Sequence, residues 1–149
     1  GNYIMTSGHI AHNCRVGNNT VIASCALLAG YVEIEDQVFV SGNVAIHQYC
    51  KVGRLAMVAG NSGINTDLPP FITYCGFRGA PKGLNMVGLR RAGFSPADIA
   101  ALKTAYRLLY RSNLKLAEAL DRIDAEVPGE HARHLTAFIR SSRRGICRE

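Results

Sequence analysis

Three histidines in the first third of the chain, His9, His12 and His47, are the side chains best suited to acid–base chemistry near neutral pH. Counted in steps of eighteen, His12 leads to Gly30 and Gly30 to Gln48. A base, a bare backbone N–H and an amide therefore fall in one series. His47 immediately precedes the last member and His9 stands three residues before the first. The His9-x-x-His12 spacing also suits a second chemistry, zinc ligation.

A step of eighteen matters because the chain repeats every six residues. Reading each sixth position from Ile4 gives Ile4, Ile10, Val16, Ile22, Leu28, Ile34, Val40, Ile46, Val52, Val58 and Ile64, all aliphatic. Four places after each of these comes a small or apolar residue, from Gly8 and Cys14 through to Ser62 and Leu68, and no charge enters either column. Helices and ordinary strands recur near 3.6 and 2.0 residues, so neither produces this pattern. A hexapeptide repeat predicts a β-solenoid, each hexad a short strand and a corner, three hexads to a triangular coil. Residues eighteen apart then stack at the sheet spacing of about 4.8 Å. His12, Gly30 and Gln48 become vertical neighbours on successive coils.

The repeat predicts a β-helix over residues 1–70, ending at Pro69-Pro70, where proline removes a ladder donor. Residues 71–83 read as an irregular connector and 84–149 as a C-terminal α-helical bundle. Its helices are expected at Leu84 to Arg91, Pro96 to about Arg111 behind a Ser95 cap, Lys115 to Glu126, and Glu130 to Ser141. The chain opens inside the repeat without a cap over the first coil, which predicts that it is the later part of a longer protein.

Composition narrows the partners. With 149 residues, 48% of them hydrophobic, the chain can bury a core, and no apolar run reaches membrane-spanning length. Together with the lack of a signal-type start, this predicts a cytoplasmic protein. Five cysteines without metal-type spacing read as reduced thiols; Cys14 and Cys50 share a column but lie roughly 9.6 Å apart, too far for a disulfide. The net charge of +6 is concentrated in the second half, where residues 76–149 carry a net +7 against −1 for residues 1–75. A basic tail makes nucleic acid the generic expectation, but its helical patterning in place of a Lys/Arg block fits a small acidic protein or a phosphorylated ligand as well.

Five stretches in order, His9-Ile10-Ala11-His12-Asn13-Cys14, Leu28-Ala29-Gly30, Ile46-His47-Gln48-Tyr49-Cys50, Asp67-Leu68-Pro69-Pro70-Phe71 and Gly83-Leu84-Asn85-Met86-Val87-Gly88-Leu89-Arg90-Arg91, resemble the C-terminal portion of the bacterial UDP-N-acetylglucosamine 3-O-acyltransferases. These enzymes take the first step of lipid A synthesis. The resemblance implies a homotrimer of left-handed β-helices with active sites between subunits. It implies transfer of an R-3-hydroxyacyl chain from acyl carrier protein to the sugar 3-hydroxyl, with no cofactor or metal. His12 matches the general base and Gly30 the backbone N–H that stabilises the oxyanion. His9, His47, Gln48 and Asn85 match donor or sugar-nucleotide contacts. Arg90 and Arg91 match cations near the nucleotide phosphates and the acidic carrier, and Gly60 the position that gauges acyl length, a glycine leaving room for a longer chain. The chain departs from the family pattern at Asn13, usually aspartate, Tyr31, usually histidine, Phe77, usually asparagine, and Ala92, commonly basic.

Two other functions compete. The His9/His12 pair could ligate zinc across a subunit interface, as in the γ-class carbonic anhydrases. Alternatively the solenoid is a trimeric assembly or carrier-binding module without turnover.

Overall fold

The computed structural model describes residues 1–148. Eleven two-residue strands follow one another at the hexad period: β1 (Tyr3–Ile4), β2 (His9–Ile10), β3 (Arg15–Val16), β4 (Val21–Ile22), β5 (Leu27–Leu28), β6 (Glu33–Ile34), β7 (Phe39–Val40), β8 (Ala45–Ile46), β9 (Lys51–Val52), β10 (Met57–Val58) and β11 (Gly63–Ile64). Every third strand pairs in parallel, Tyr3 with Val21, His9 with Leu27, Arg15 with Glu33. Three sheets result, β1-β4-β7-β10, β2-β5-β8-β11 and β3-β6-β9, the first, second and third faces of a prism. Both predicted columns point inward. From Ile22 to Ile64 the aliphatic column is at most 3% exposed, and Ala26, Val32, Val38, Val44, Cys50 and Ala56 fill the space between. At the starting edge Ile4 is 51% exposed, because no coil covers it in this chain.

Each corner is a tight turn whose third residue after the inward aliphatic adopts positive φ. Ser7, Asn13, Asn19, Cys25, Tyr31, Gln37, Asn43, Tyr49, Leu55 and Asn61 all lie between 55° and 65°. None is β-branched, as the left-handed region requires.

The solenoid does not stop at the diproline. Val52 bridges Leu68, sixteen residues on instead of eighteen, so the corner after Ile64 is two residues short and Leu68 takes the inward aliphatic place early. The expected connector is a hairpin, β12 (Ile72–Cys75) antiparallel to β13 (Ala80–Leu84), with β12 added in parallel to β10 on the first face. Prolines are tolerated there because Pro69 and Pro70 sit in the turn, outside the ladder. The close fit leaves no room at Gly53, where a Cβ would run into the Pro70 nitrogen and ring.

Four helices follow: α1 (Met86–Arg91), α2 (Pro96–Tyr110), α3 (Leu116–Glu126) and α4 (Glu130–Arg140). Ser95 and Asp98 form the reciprocal cap of α2, each side chain accepting from the other's backbone N–H at 3.1 Å. Leu102, Ala105 and Leu109 pack with Ile123, Leu135, Phe138 and Ile139 in a second core that also takes in Leu55 and Phe71 from the solenoid corner. Leu84 lies in β13, not in the helix predicted to begin there, because Asn85 caps α1.

Carboxylates make two of the polar ties that fasten the bundle to the solenoid. Asp67, 1% exposed, accepts from the Lys51 N–H at 2.8 Å and from the Ser142 hydroxyl at 2.6 Å. Its own N–H donates to Gly145 and its carbonyl accepts from Cys147. Asp67→Ala removes the side-chain acceptor of the half-buried Lys51 N–H and one of two acceptors of the Ser142 hydroxyl, and is expected to cost about 1–3 kcal/mol in chemical denaturation, with loss of hydrogen-exchange protection at Cys147. Asp67→Asn should recover part of it.

The second tie is His134 Nε2 to Glu35 at 2.8 Å. The bond to Glu35 raises the imidazole above its ordinary value; burial and Arg54 act the other way more weakly. A raised folded value means the stabilisation is complete below about pH 6.5 and fades as pH rises through it. Both partners are over a third exposed, at 41% and 35%, so the effect is screened. Between pH 6 and 8 the melting temperature should fall by about 1–3 °C more in the parent than in His134→Gln.

Candidate functional site

His12 occupies the corner between the second and third faces, in the turn that follows β2. Its Nδ1 lies 3.1 Å from Asn13 Oδ1. That oxygen can only accept, so Nδ1 is the donor, and in the neutral ring of that tautomer the lone pair is on Nε2. The predicted column is real. Gly30 lies against the ring, and a Cβ there would come 2.8 Å from Cε1 and 2.9 Å from Nε2. Backbone bonds from Tyr31 N–H to the His12 carbonyl and from Tyr49 N–H to the Gly30 carbonyl, both 3.1 Å, fix the vertical register. No described residue accepts from the Gly30 N–H. A base with a free lone pair and an uncommitted N–H on the next coil can respectively take a proton and steady a nearby oxyanion.

His9 and His47 line a groove of about 560 Å³ on the second face, with Leu27, Ala45 and Ile64 as apolar wall. His47 Nδ1 donates to the Gln48 carbonyl at 3.3 Å, and Gln48 itself is exposed beside it. At one end the groove is bounded by Phe77 and Arg78 from the hairpin turn. The Phe77 ring covers Gly63, where a Cβ would sit 2.8 Å from Cδ2, while Phe77 remains 76% exposed.

The other predicted residues lie on different corners of the prism. Asn85 sits by the corner between the third and first faces, where its Nδ2 donates to the Leu55 carbonyl at 2.9 Å and its Oδ1 accepts from Gly88 N–H at 3.0 Å. Within the chain this amide is an anchor for α1. Arg90 and Arg91, both exposed, form the last turn of that helix. Gly60, exposed, lies on the corner between the first and second faces, with room for a Cβ at 3.4 Å from the Gly42 carbonyl. One chain thus gathers His9, His12, Gly30, His47 and Gln48 but not Asn85, Arg90, Arg91 or Gly60.

Sequence reading overlooked one member of the corner. Tyr49 stacks on Tyr31, centroids 5.0 Å apart and planes at 15°, and the eighteen-residue step from Tyr31 to Tyr49 was signal enough to find it. Cys50 and Cys147 are not nucleophiles: burial pushes their thiols up to about 12 and about 11. Among the described residues, no three His, Cys, Asp or Glu side chains gather as a metal site.

Comparison with known proteins agrees with this architecture. The acyl-[acyl-carrier-protein]--UDP-N-acetylglucosamine O-acyltransferases of Anaeromyxobacter sp. (strain K) and Herminiimonas arsenicoxydans are each 44% identical to the chain over 99% of its length. The chain spans 58% of each of them. Solved UDP-N-acetylglucosamine acyltransferases from Bacteroides fragilis and Acinetobacter baumannii superpose with TM-scores of 0.96 and 0.95 at 38% identity, over 99% of this chain and 58% of theirs. A sequence model described as UDP N-acetylglucosamine O-acyltransferase, domain 2, matches residues 67–147, more than half of the chain. Solenoid, helical bundle and corner histidine thus all fall within the stretch that is shared with these relatives, and the chain belongs to the UDP-N-acetylglucosamine O-acyltransferase family.

Proposed function

We propose that the chain carries the reacting corner of an enzyme that moves an R-3-hydroxyacyl group from acyl carrier protein to the 3-hydroxyl of UDP-N-acetylglucosamine, the first step of lipid A synthesis, in the cytoplasm. The single observation behind this reading is the seating of His12 over Gly30. His12 Nε2 takes the proton of the sugar hydroxyl as its oxygen attacks the thioester carbonyl. The carbonyl oxygen gains charge opposite the Gly30 N–H, and the C–S bond then breaks, with the proton passing from His12 to the departing thiolate. The apolar groove beside His9 and His47 suits the donor arm, and Gln48 suits the sugar.

Asn85, Arg90 and Arg91 join this site only from another subunit, which supports a homotrimer with clefts between neighbours. The exposed arginines then meet the nucleotide phosphates and the acidic carrier. Gly60 sets acyl length by leaving space.

Mass spectrometry of the chain with hydroxyacyl carrier proteins of graded length and UDP-N-acetylglucosamine tests the reading. Acylated sugar nucleotide, favouring fourteen-carbon over ten-carbon donors, is the expected result. Nucleotide binding without product would instead support a carrier-binding or assembly module.

A further inference from the structure

His12 is exposed and makes one side-chain hydrogen bond, to Asn13. One bond from Nδ1 fixes a point on the ring, not its plane. A surface imidazole held only there would turn about its two side-chain torsions. Gly30 supplies a floor, and the remaining side is closed by Tyr31, whose ring meets His12 edge to face at 5.3 Å and 89°. Tyr31 is fixed in its turn by the stack on Tyr49. The two tyrosines are 43% and 53% exposed, so they contribute little to the core. Both also occupy positive-φ corners, at 60° and 65°, where four of the other eight corners carry asparagine. A large aromatic side chain in that conformation, left half in solvent, calls for a role other than packing.

We propose that Tyr31 is a positioning residue for His12: its ring, braced by Tyr49, keeps the imidazole seated over Gly30. This rests on the acyltransferase reading given above for its kinetic consequence, but not for its geometry. A series His12, Tyr31, Tyr49 then climbs three successive coils, each ring oriented by the one beyond it. The interaction is made by the ring and not by the phenol oxygen, which distinguishes it from a substrate contact.

The test compares Tyr31→Phe with Tyr31→Asn, the latter chosen because Asn13, Asn19, Asn43 and Asn61 already hold the same backbone conformation in this chain. Tyr31→Asn is expected to lower kcat about 10-fold with KM for both substrates within twofold, and Tyr31→Phe to restore kcat to within about twofold of the parent. In parallel, the ring-proton resonances of His12 should move in Tyr31→Asn and stay near parent positions in Tyr31→Phe, a readout that needs no turnover. Parent-like kcat and parent-like His12 resonances in Tyr31→Asn would overturn the proposal. So would a Tyr31→Phe defect as deep as that of Tyr31→Asn, or a loss confined to KM for the sugar nucleotide, because either outcome makes Tyr31 a direct ligand. An inactive parent with the predicted resonance shifts refutes the acyltransferase reading while leaving the ring contact established.

Discussion

His12→Ala is expected to lower kcat/KM for acyl transfer by a factor of about 10³ or more while leaving the melting temperature within about 1 °C of the parent. General-base catalysis contributes about 10²–10⁴-fold. No other described histidine stands against the Gly30 backbone, since His9 and His47 face the groove on the second face. Stability should hold because His12 is exposed and its loss removes one surface hydrogen bond. Steady-state kinetics with a thermal melt on the same preparation separates the two effects. Turnover within tenfold of the parent would remove His12 from the mechanism.

Gly30→Ala tests the other half of the pair by a different route. The three atoms nearest the added Cβ all belong to the imidazole, at 2.8, 2.9 and 3.4 Å. The ring is an exposed side chain and can swing aside, and Gly30 has no positive φ to strain. Folding should therefore be nearly unaffected, while the base leaves its seat and the N–H is screened. Loss of one oxyanion donor costs about 10²–10³ in kcat, and displacement of the base adds to it. We expect a fall of at least 10² in kcat, with the double variant His12→Ala/Gly30→Ala scarcely worse than His12→Ala. Full additivity would show that the two residues act separately.

Much of this site was legible because a solenoid converts sequence spacing into height. Once the aliphatic column fixed the period, the position of Gly30 one coil from His12 followed by counting. The same count would have exposed Tyr49 one coil beyond Tyr31, had it been applied to the outward corner residues as well as to the histidines. The helices were legible for local reasons, as the Ser95 and Asp98 cap illustrates.

What escaped was set by contacts distant in the chain. The anchoring bond of Asn85 could not be read from its own stretch, because the Leu55 carbonyl to which its amide donates lies thirty residues earlier. Asp67 reads as a motif residue, yet its carboxylate holds Lys51 and Ser142 together across the last coil. The short corner after Ile64 left no compositional mark, so the hairpin that completes the first face was expected as irregular chain.

The positive-φ corners have a consequence for how such a protein changes over time. Their side chains project away from the prism, and the only demand the coil makes on them is a tolerance for one backbone conformation. Asparagine, serine, glutamine, cysteine, leucine and tyrosine all meet it here. Except at Leu55, which is buried in the second core, each corner is therefore an interchangeable socket, in which chemistry can be altered without touching the buried columns. A new specificity on this scaffold would be reached most readily by exchanging residues at sockets one coil apart, the rest of the chain serving as an unchanged rack.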